Sequence, residues 1–293
     1  MRSGFVGLAG RPNVGKSTLT NALAGAHIAI VSDKPQTTRQ RALGVVHGDD
    51  FQIVLVDLPG FQKPFDALTR RMQSSVDTSL KDVDAVLFVL DASEVSGGGD
   101  RFIAQQLAAT GAPVVIALNK VDRLKPPAIL ESIAGVSGLL EDYVALHPVS
   151  ARTGDGVEEL KAELVALLPE GPAYFEEGVD SDQPLERRIG ELVREQALAR
   201  TREEVPHAIA VVVDEIKAPR GKHSGRVTAT LIVEETSQQG ILVGKDGATV
   251  RAIGTAARPE IEKLVGGSIY LDLRVKVRRG WRRDDSLLER FGL

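Results

Sequence analysis

The chain of 293 residues contains no cysteine. Without thiols it can form neither a disulfide framework nor a thiolate metal site, and such a chain is typical of the cytosol. It also lacks any run of the roughly 18 apolar residues that a membrane-spanning helix requires. The longest apolar runs, such as AVLFVL, suit buried strands, and a strand-like segment begins at Phe5. We therefore expect no signal peptide and a cytoplasmic location.

Neither an internal repeat nor a low-complexity tract is present, and the length is comfortable for two domains. The net charge of -4 is unevenly divided. Residues 1–183 carry 16 Lys and Arg against 24 Asp and Glu, a balance of -8, whereas residues 184–293 carry 20 against 16, a balance of +4. This asymmetry indicates two units with different partners, the rear one facing a polyanion, although a solvated surface explains such a bias equally well.

The first half of the chain alternates apolar runs with amphipathic helical segments. Near-continuous apolar strands separated by helices predict an α/β domain with a mostly parallel sheet covered on both faces. We place this domain at residues 1–170, and residues 171–183, rich in Gly, Pro and acidic residues, predict a linker. The five predicted strands lie in the runs FVGLA, FQIVLVDLPG, DAVLFVLDAS, APVVIALNKVD and YVALHPVSA.

Residues 184–293 predict a smaller α+β domain. A charged amphipathic helix ended by Pro206 comes first, followed by strands in AIAVVVDEIK and RVTATLIVEET. Two short helices around a glycine-bracketed turn then lead to a third strand in SIYLDLRVKV. We therefore expect the order helix–strand–strand–helix–helix–strand in this half.

The sequence GRPNVGKS lies between the first predicted strand and a helix, and it matches the phosphate-binding pattern G-x-x-x-x-G-K-S/T. Its glycines let backbone N–H groups approach phosphate oxygens, and Lys16 places a positive charge near the β- and γ-phosphates. The hydroxyl of Ser17 can bind Mg²⁺. A chance glycine-rich turn is the alternative, which the flanking strand and helix disfavour. The predicted phosphate-binding residues are Gly10, Arg11, Pro12, Asn13, Val14, Gly15, Lys16, Ser17 and Thr18.

Polar motifs also end three later strands. DLPG offers Asp57 as a Mg²⁺ ligand through water, and the N–H of Gly60 can approach a γ-phosphate. In NKVD, Asp122 can accept two hydrogen bonds from guanine and would reject adenine, which lacks that donor pair. At VSA a backbone N–H can meet the guanine O6. Together these motifs predict GTP, with guanine-binding residues Asn119, Lys120, Asp122, Ser150 and Ala151.

The set GRPNVGKS, DLPG, NKVD and SA resembles the motifs of the translation-factor class of P-loop GTPases, and QTTR at 36–39 is similar to switch I of its Era-like branch. The resemblance implies that Thr38 completes the Mg²⁺ shell, beside Ser17 and Asp57. It also implies that GTP orders segments 36–41 and 60–65, which hydrolysis releases. The predicted switch residues are Thr37, Thr38, Asp57, Leu58, Pro59, Gly60 and Phe61.

Two residues bear on hydrolysis in this resemblance. Phe61 stands where many such GTPases carry the glutamine that orients water, so we expect no side-chain base, slow intrinsic turnover and stimulation by RNA. Asn13 matches the asparagine that coordinates K⁺ in related GTPases, where the ion stands in for an arginine finger. Lys16 and Asn13 are thus the expected charge-stabilising residues, with K⁺ as a cofactor beside Mg²⁺.

The stretch LVGKDGATVRAIG resembles the GXXG loop of KH domains of the bacterial type, which clamps the backbone of single-stranded RNA. A glycine-rich turn without function is the alternative. Ile241 and Val243 would form an apolar floor for the bases, while Lys245 and Arg251 would supply charge. The predicted RNA-binding residues are Ile241, Val243, Gly244, Lys245, Asp246, Gly247 and Arg251.

A GTPase domain joined to a KH domain that closes on KVRRGW is similar to the Era family over nearly the whole chain. That resemblance implies binding of the 3′ end of 16S ribosomal RNA and a role in maturation of the 30S subunit. Trp281 is either a stacking surface or a core residue, and we favour the core. We expect a monomer, since no coiled-coil pattern is evident.

Two other functions stay open from the sequence. A membrane-associated signalling GTPase would use the basic rear half for peripheral contact with anionic lipid at the inner face of the cell membrane. A GTPase that assists RNA modification would need an acid–base or nucleophile group in the second half. His207 and His223 are isolated there, which argues against the second function.

Overall fold

The computed structural model describes residues 1–34, 36–61, 64–219 and 223–293, and the chain divides into two compact units. The first consists mainly of residues 1–182 and the second mainly of 183–293. In the described part, the first unit contains a six-stranded sheet of order β2-β3-β1-β4-β5-β6. Its strands are β1 (Arg2–Ala9), β2 (Ala42–His47), β3 (Phe51–Asp57), β4 (Ala85–Asp91), β5 (Val114–Asn119) and β6 (Ala145–Pro148).

The predicted mostly parallel sheet is confirmed, since among the described strands of this sheet only β2 runs antiparallel to its neighbour. The apolar runs are buried on both faces, in two separate hydrophobic clusters. The edge strand β2 was not among the predicted strands, because ALGVVH is short, interrupted by Gly44 and recognisable only through its pairing with β3. The flanking helices are α1 (Lys16–Ala24), α2 (Ala67–Ser79), α3 (Gly98–Ala108), α4 (Pro126–Val136) and α5 (Val157–Leu167).

Residues 171–182, which fall within the predicted linker, are hydrogen-bonded along the first unit, and we call them the strap. The buried side chain of Gln52 accepts from the backbone N–H groups of Tyr174 (2.7 Å) and Phe175 (3.0 Å) and donates to the Phe175 carbonyl (2.9 Å). Farther along, the N–H of Val45 in β2 donates to the Asp180 carbonyl at 2.9 Å. The strap therefore covers the otherwise open edge of the sheet.

The second unit packs helices on one face of a three-stranded sheet of order β7-β8-β9. Antiparallel β7 (Ala210–Lys217) and β8 (Gly225–Val233) come first, and β9 (Ile269–Val277) pairs in parallel with β8. A parallel pair requires a crossover, which the two intervening helices supply. The helices are α6 (Leu185–Leu198), α7 (Val205–Ala208), α8 (Thr236–Val243), α9 (Ala248–Val265) and α10 (Asp285–Arg290). The predicted order of helix, two strands, two helices and a strand is confirmed, and the structure adds two short helices that the order did not contain, α7 before β7 and α10 after β9.

Two helix predictions in this unit were wrong. The first helix was expected to run to Pro206, but α6 ends at Leu198, and Pro206 lies in the first turn of the separate helix α7. Proline is tolerated in a first turn because its missing N–H has no intrahelical partner there. The helix after the glycine-bracketed turn was expected to be short, whereas α9 has 18 residues. Among the described helices, none is long and apolar enough to cross a membrane.

Trp281 is a core residue, as the favoured alternative predicted. Its side chain is fully buried, and its indole N–H donates to the Ala208 carbonyl at 3.0 Å. Its ring meets that of Phe291 edge to face, with centroids 5.9 Å apart. The indole therefore fastens the C-terminal helix to the unit and presents no stacking surface.

Shortening Gln52 should release the strap. In Gln52→Ala, the strap's backbone groups lose buried partners at a cost of about 1–3 kcal/mol, which raises the open population roughly 5- to 150-fold. We expect cleavage after Glu176 and Glu177 by a glutamate-specific protease to accelerate by a similar factor. Gln105→Ala, at an exposed position of α3, is the control. Equal cleavage rates in the two variants would contradict the role given to Gln52.

Candidate functional site

The predicted phosphate loop connects β1 to α1 and has backbone conformations that demand glycine. Gly15 has φ of 100°, and a Cβ there would collide with the side-chain amide of Asn119. Gly10 has φ of 152°, and a Cβ would lie 2.5 Å from the Val89 carbonyl oxygen. Asn13 also has a left-handed φ, of 66°. Successive N–H groups that converge before a helix N-terminus form an anion-binding concavity.

Lys16 closes this loop from inside. Its ammonium donates to the carbonyl oxygens of Gly10 (3.0 Å) and Arg11 (2.9 Å), and the side chain is buried. Burial lowers the pKa of Lys16 to about 8, against the opposing effect of the Asp57 charge. A phosphate bound beside Lys16 would therefore stabilise the charged form of the lysine, which burial disfavours.

Three oxygen-bearing side chains meet behind the lysine, as predicted for the metal ligands. The Ser17 hydroxyl donates to Asp57 Oδ2 at 2.8 Å, and its oxygen lies 2.9 Å from Thr38 Oγ1, which is 3.3 Å from the same carboxylate oxygen. The other oxygen, Asp57 Oδ1, is buried with no hydrogen-bond partner among the described residues. Burial raises the pKa of Asp57, while Ser17, Lys16 and Thr38 oppose the rise. These hard oxygen donors suit Mg²⁺.

The DLPG turn lies against the phosphate loop, because the N–H of Phe61 donates to the Gly10 carbonyl at 3.3 Å. The Phe61 ring is buried in the same hydrophobic cluster as Leu58. It therefore offers no polar group to a water at the loop, in line with the sequence expectation. Two residues of the predicted segment 60–65, Gln62 and Lys63, lie outside the described residues.

The NKVD turn is fastened to the phosphate loop by two consecutive side chains. Asn119 donates from Nδ2 to the Val14 carbonyl at 2.9 Å, and Lys120 Nζ donates to the Asn13 carbonyl at 2.5 Å. A bracing role for Asn119 and Lys120 was expected from the sequence, but their partners, the Val14 and Asn13 carbonyls, lie more than a hundred residues away and were not predicted. The base-binding and phosphate-binding loops consequently form one hydrogen-bonded assembly.

The predicted base-binding groups occupy the rim of this assembly. Asp122 is exposed, and its Oδ1 accepts from the Ser150 hydroxyl at 2.8 Å, which fixes the carboxylate. The N–H of Ala151 donates to Asn119 Oδ1 at 3.0 Å, and the N–H of Ser150 donates to the Asp155 carbonyl at 2.9 Å. Both N–H groups that were candidates for guanine O6 therefore brace the loop from within.

Sequence reasoning missed the acidic residues that hold Arg11. Its Nε donates to Asp100 Oδ1 at 2.7 Å and its Nη2 to Glu94 Oε2 at 2.8 Å. Burial by itself would lower the pKa of Arg11, but the two carboxylates outweigh it and raise the pKa. Asp100 is buried in the first turn of α3. A carboxylate in the first turn of a helix is usually explained by its favourable interaction with the helix N-terminus. Nothing in the sequence therefore indicated that Asp100 also pairs with Arg11.

In the second unit, the predicted GXXG loop connects α8 to α9. Gly244 has φ of 71°, and a Cβ there would meet the Thr249 hydroxyl. Arg251 donates to the Asp246 carbonyl at 2.6 Å and so braces the loop from the following helix. Lys245 is exposed in the loop, and Ile241 is 48% exposed in the preceding helix α8. This part of the unit therefore exposes a cation and an apolar side chain, which suit a nucleic-acid backbone and its bases.

Comparison with known proteins supports both assignments of fold. Residues 5–120 match a family model described as 50S ribosome-binding GTPase, and residues 204–282 match the KH domain model. GTPase Era of Mycobacterium tuberculosis (strain H37Rv) is 47% identical over 294 residues, covering 99% of this chain and 98% of the relative.

Two solved structures are similar over the full length. A single-residue variant of Aquifex aeolicus Era bound to GDP and AlF4⁻ has a TM-score of 0.95 at 36% identity, covering 100% of this chain and 99% of that one. Era in complex with MgGDPNP and nucleotides 1506–1542 of 16S ribosomal RNA has a TM-score of 0.92 at 36% identity, with the same coverage. The similarity thus extends through both units.

The lowered pKa of Lys16 predicts proton uptake when a phosphate binds. With a pKa of about 8, roughly half of the Lys16 ammonium groups are neutral at pH 8 and about a tenth at pH 7. At pH 8, where the phosphates of free GDP are almost fully ionised, binding of GDP should therefore take up about 0.5 proton. Calorimetry in buffers of different ionisation enthalpy measures this uptake. Lys16→Arg keeps its charge and should show none; uptake that persists there would refute the assignment.

Proposed function

This chain belongs to the Era family of GTPases, and from that premise we propose that it is a GTP-driven switch that binds the 3′ end of 16S ribosomal RNA during maturation of the 30S subunit. As a member of the family it hydrolyses GTP to GDP and phosphate. The observation that carries the proposed site is the single assembly of phosphate loop and NKVD turn, held by Asn119 and Lys120. A base read at the rim is thereby placed in a fixed position relative to its phosphates.

In the proposed site, the phosphates lie against residues 10–18 and guanine lies against Asp122. The carboxylate accepts from guanine, while Ser150 and Ala151 hold the surrounding loop in shape. Recognition by specific hydrogen bonds discriminates strongly, because an unsuitable base leaves polar groups unpaired. Lys16 compensates phosphate charge in a buried environment, where its electrostatic effect is large.

Mg²⁺ fits the cluster of Ser17, Thr38 and Asp57, since the residues supply hard oxygen atoms and one carboxylate oxygen lacks a partner within the described chain. When bound there, the ion would neutralise charge that develops on the phosphate oxygens. We also propose K⁺ as a second cofactor near Asn13. Asn13 lies in the phosphate loop, and Lys120 holds its backbone carbonyl in place, which supports this role.

The proposed hydrolytic machinery lacks a side-chain base. Phe61 is buried and apolar, so water must be positioned by backbone groups or by a partner. We therefore propose that intrinsic turnover is slow and that RNA or the ribosomal particle stimulates it. Thr37, Thr38 and residues 57–61 form the proposed switch, because the Thr38 hydroxyl contacts Ser17 and Asp57 and the Phe61 N–H donates to the Gly10 carbonyl of the phosphate loop.

RNA binding is proposed for the GXXG loop of the KH domain. The exposed Lys245 and Ile241, with the loop braced by Arg251, support contact with a single strand. A solved Era structure contains a 16S ribosomal RNA fragment together with MgGDPNP, which motivates both the RNA end and the triphosphate state. We place the GTPase domain at 1–170, the linker at 171–183 and the KH domain at 184–293, in a cytoplasmic monomer.

Base recognition is tested by changing the carboxylate of Asp122. Asp122→Asn should lower GTP affinity at least about 100-fold and raise XTP affinity, because the amide can donate to the extra carbonyl of xanthine. Competition between the two nucleotides for the purified protein measures the preference. Asp82→Asn, an exposed change of equal charge on the same domain, should leave the preference unchanged. A variant that binds GTP like the parent and ignores XTP would remove Asp122 from the base site.

RNA recognition is tested at the tip of the GXXG loop. Lys245→Ala should weaken binding of a single-stranded 16S 3′-end oligonucleotide severalfold and reduce the slope of log affinity against log salt by about 0.7, since one phosphate contact is lost. Fluorescence anisotropy with GDPNP-loaded and GDP-loaded protein measures both, with tighter binding expected for GDPNP. Lys263→Ala, 72% exposed on α9, is the control.

Three outcomes would count against the proposal. Equal salt slopes for Lys245→Ala and Lys263→Ala would remove the loop from the RNA contact. Equal affinity in the two nucleotide states would leave two independent binding sites and no switch. Tighter binding to phosphatidylserine vesicles than to RNA at the same ionic strength would favour the membrane-associated alternative.

A further inference from the structure

The ammonium of Lys120 is held from two sides. On one side is the Asn13 carbonyl of the phosphate loop, at 2.5 Å, and on the other is Asp91 Oδ2, at 2.6 Å. Asp91 is the last residue of β4, and its side chain is only 3% exposed. It belongs to none of the four nucleotide motifs in the sequence, yet it supplies the counter-charge for one of their residues.

Asp91 is itself fixed in place. Its second oxygen, Oδ1, accepts from the Ser93 hydroxyl at 2.6 Å and from the Ser93 backbone N–H at 3.0 Å. Burial alone would raise the pKa of Asp91, but the bonds from Lys120 and Ser93 together lower it. The carboxylate therefore stays ionised beside the lysine and has no rotational freedom to leave it.

The backbone of Lys120 needs such anchoring. Its φ is 68°, a left-handed conformation that is unfavourable for a residue with a long side chain. The neighbouring Asn119 carbonyl accepts from the Ala92 N–H at 2.8 Å, so the ends of β4 and β5 are joined by backbone as well. With backbone and ammonium both fixed, the aliphatic stem between them has a defined position at the rim where the base is proposed to bind.

We infer that Asp91 is a positioning residue for the nucleotide, acting through Lys120. It holds the ammonium on the Asn13 carbonyl and thereby keeps the phosphate loop in register with the NKVD turn, where the base is proposed to bind. The inference rests on the proposed assignment of residues 119–122 as the guanine site. Asp91 touches no reacting atom in this arrangement, so its loss should affect how long a nucleotide stays bound and leave the chemical step largely intact.

The test replaces the charge while keeping the shape. Asp91→Asn should accelerate GDP dissociation about tenfold, because one charge-assisted hydrogen bond of Lys120 is lost. At saturating GTP, kcat should stay within about twofold of the parent while KM rises. Stopped-flow release of a fluorescent GDP and steady-state hydrolysis measure the two quantities. Asp142→Asn, exposed and of equal charge change, should alter neither.

A double-mutant cycle shows whether the effect passes through Lys120. In a Lys120→Met background, Asp91→Asn should add less than about twofold to GDP release, since the partner is already absent. A full tenfold effect in that background would overturn the inference. So would an Asp91→Asn variant that melts at a lower temperature than the parent but releases GDP at the parent's rate. If Asp91→Asn does not fold, Ser93→Ala keeps the charge and the backbone bond but removes the hydroxyl that donates to Asp91 Oδ1, and should accelerate release about two- to threefold through the same cycle.

Failure of this inference is distinguishable from failure of the guanine site. If Asp122→Asn does not exchange GTP for XTP, the base site itself is misassigned, and Asp91 loses its premise. If Asp122→Asn does switch the base while Asp91→Asn leaves GDP release unchanged, the site stands and only the positioning role falls.

Discussion

The phosphate loop keeps its shape because the side chains of Lys16, Asn119 and Lys120 hold its carbonyl oxygens. Lys16 takes the carbonyls of Gly10 and Arg11, Asn119 takes that of Val14, and Lys120 takes that of Asn13. With the carbonyls drawn toward these donors, the N–H groups of the same peptides are left to face the concave side. A main-chain anion site of this kind costs little reorganisation when the ligand arrives, since its dipoles are already aligned.

The hydrogen bonds to the phosphate loop connect the ends of three neighbouring or nearby strands, β3, β4 and β5. The end of β3 supplies Asp57 to the oxygen cluster, the end of β4 supplies Asp91, and the end of β5 supplies Asn119 and Lys120. In a parallel sheet the carboxyl ends of the strands meet at one edge, which is why residues far apart in sequence reach a single loop. The phosphate loop and the NKVD turn, where the base is proposed to bind, are therefore joined in one hydrogen-bonded arrangement.

Much of this fold could be predicted because its signals are local. Unbroken apolar runs specify buried strands, and a glycine-framed loop before a helix specifies an anion site through backbone geometry alone. What the sequence did not reveal depends on partners far along the chain. β2 exists through its pairing with β3, the strap is held in part by the buried amide of Gln52, and Asp91 acquires its role only when Lys120 lies beside it. The end of the first helix was wrongly predicted at Pro206 because a proline, which is a purely local signal, is as compatible with the start of a new helix as with the end of the preceding one.

Net charge does not predict the ligand proposed for residues 1–183, but it does agree with the ligand proposed for residues 184–293. Residues 1–183 carry a balance of -8, yet they hold the site proposed for a polyanionic nucleotide. The contradiction disappears at short range, because surface carboxylates beyond about 8 Å are screened by salt, whereas main-chain N–H groups and the buried Lys16 act at contact distance. RNA, by contrast, presents a long row of phosphates to an exposed surface, where each accessible cation contributes through counterion release. The excess of positive charge in residues 184–293 therefore contributes to binding of an RNA partner by that half. In the front half, the shape of one loop determines which ligand binds.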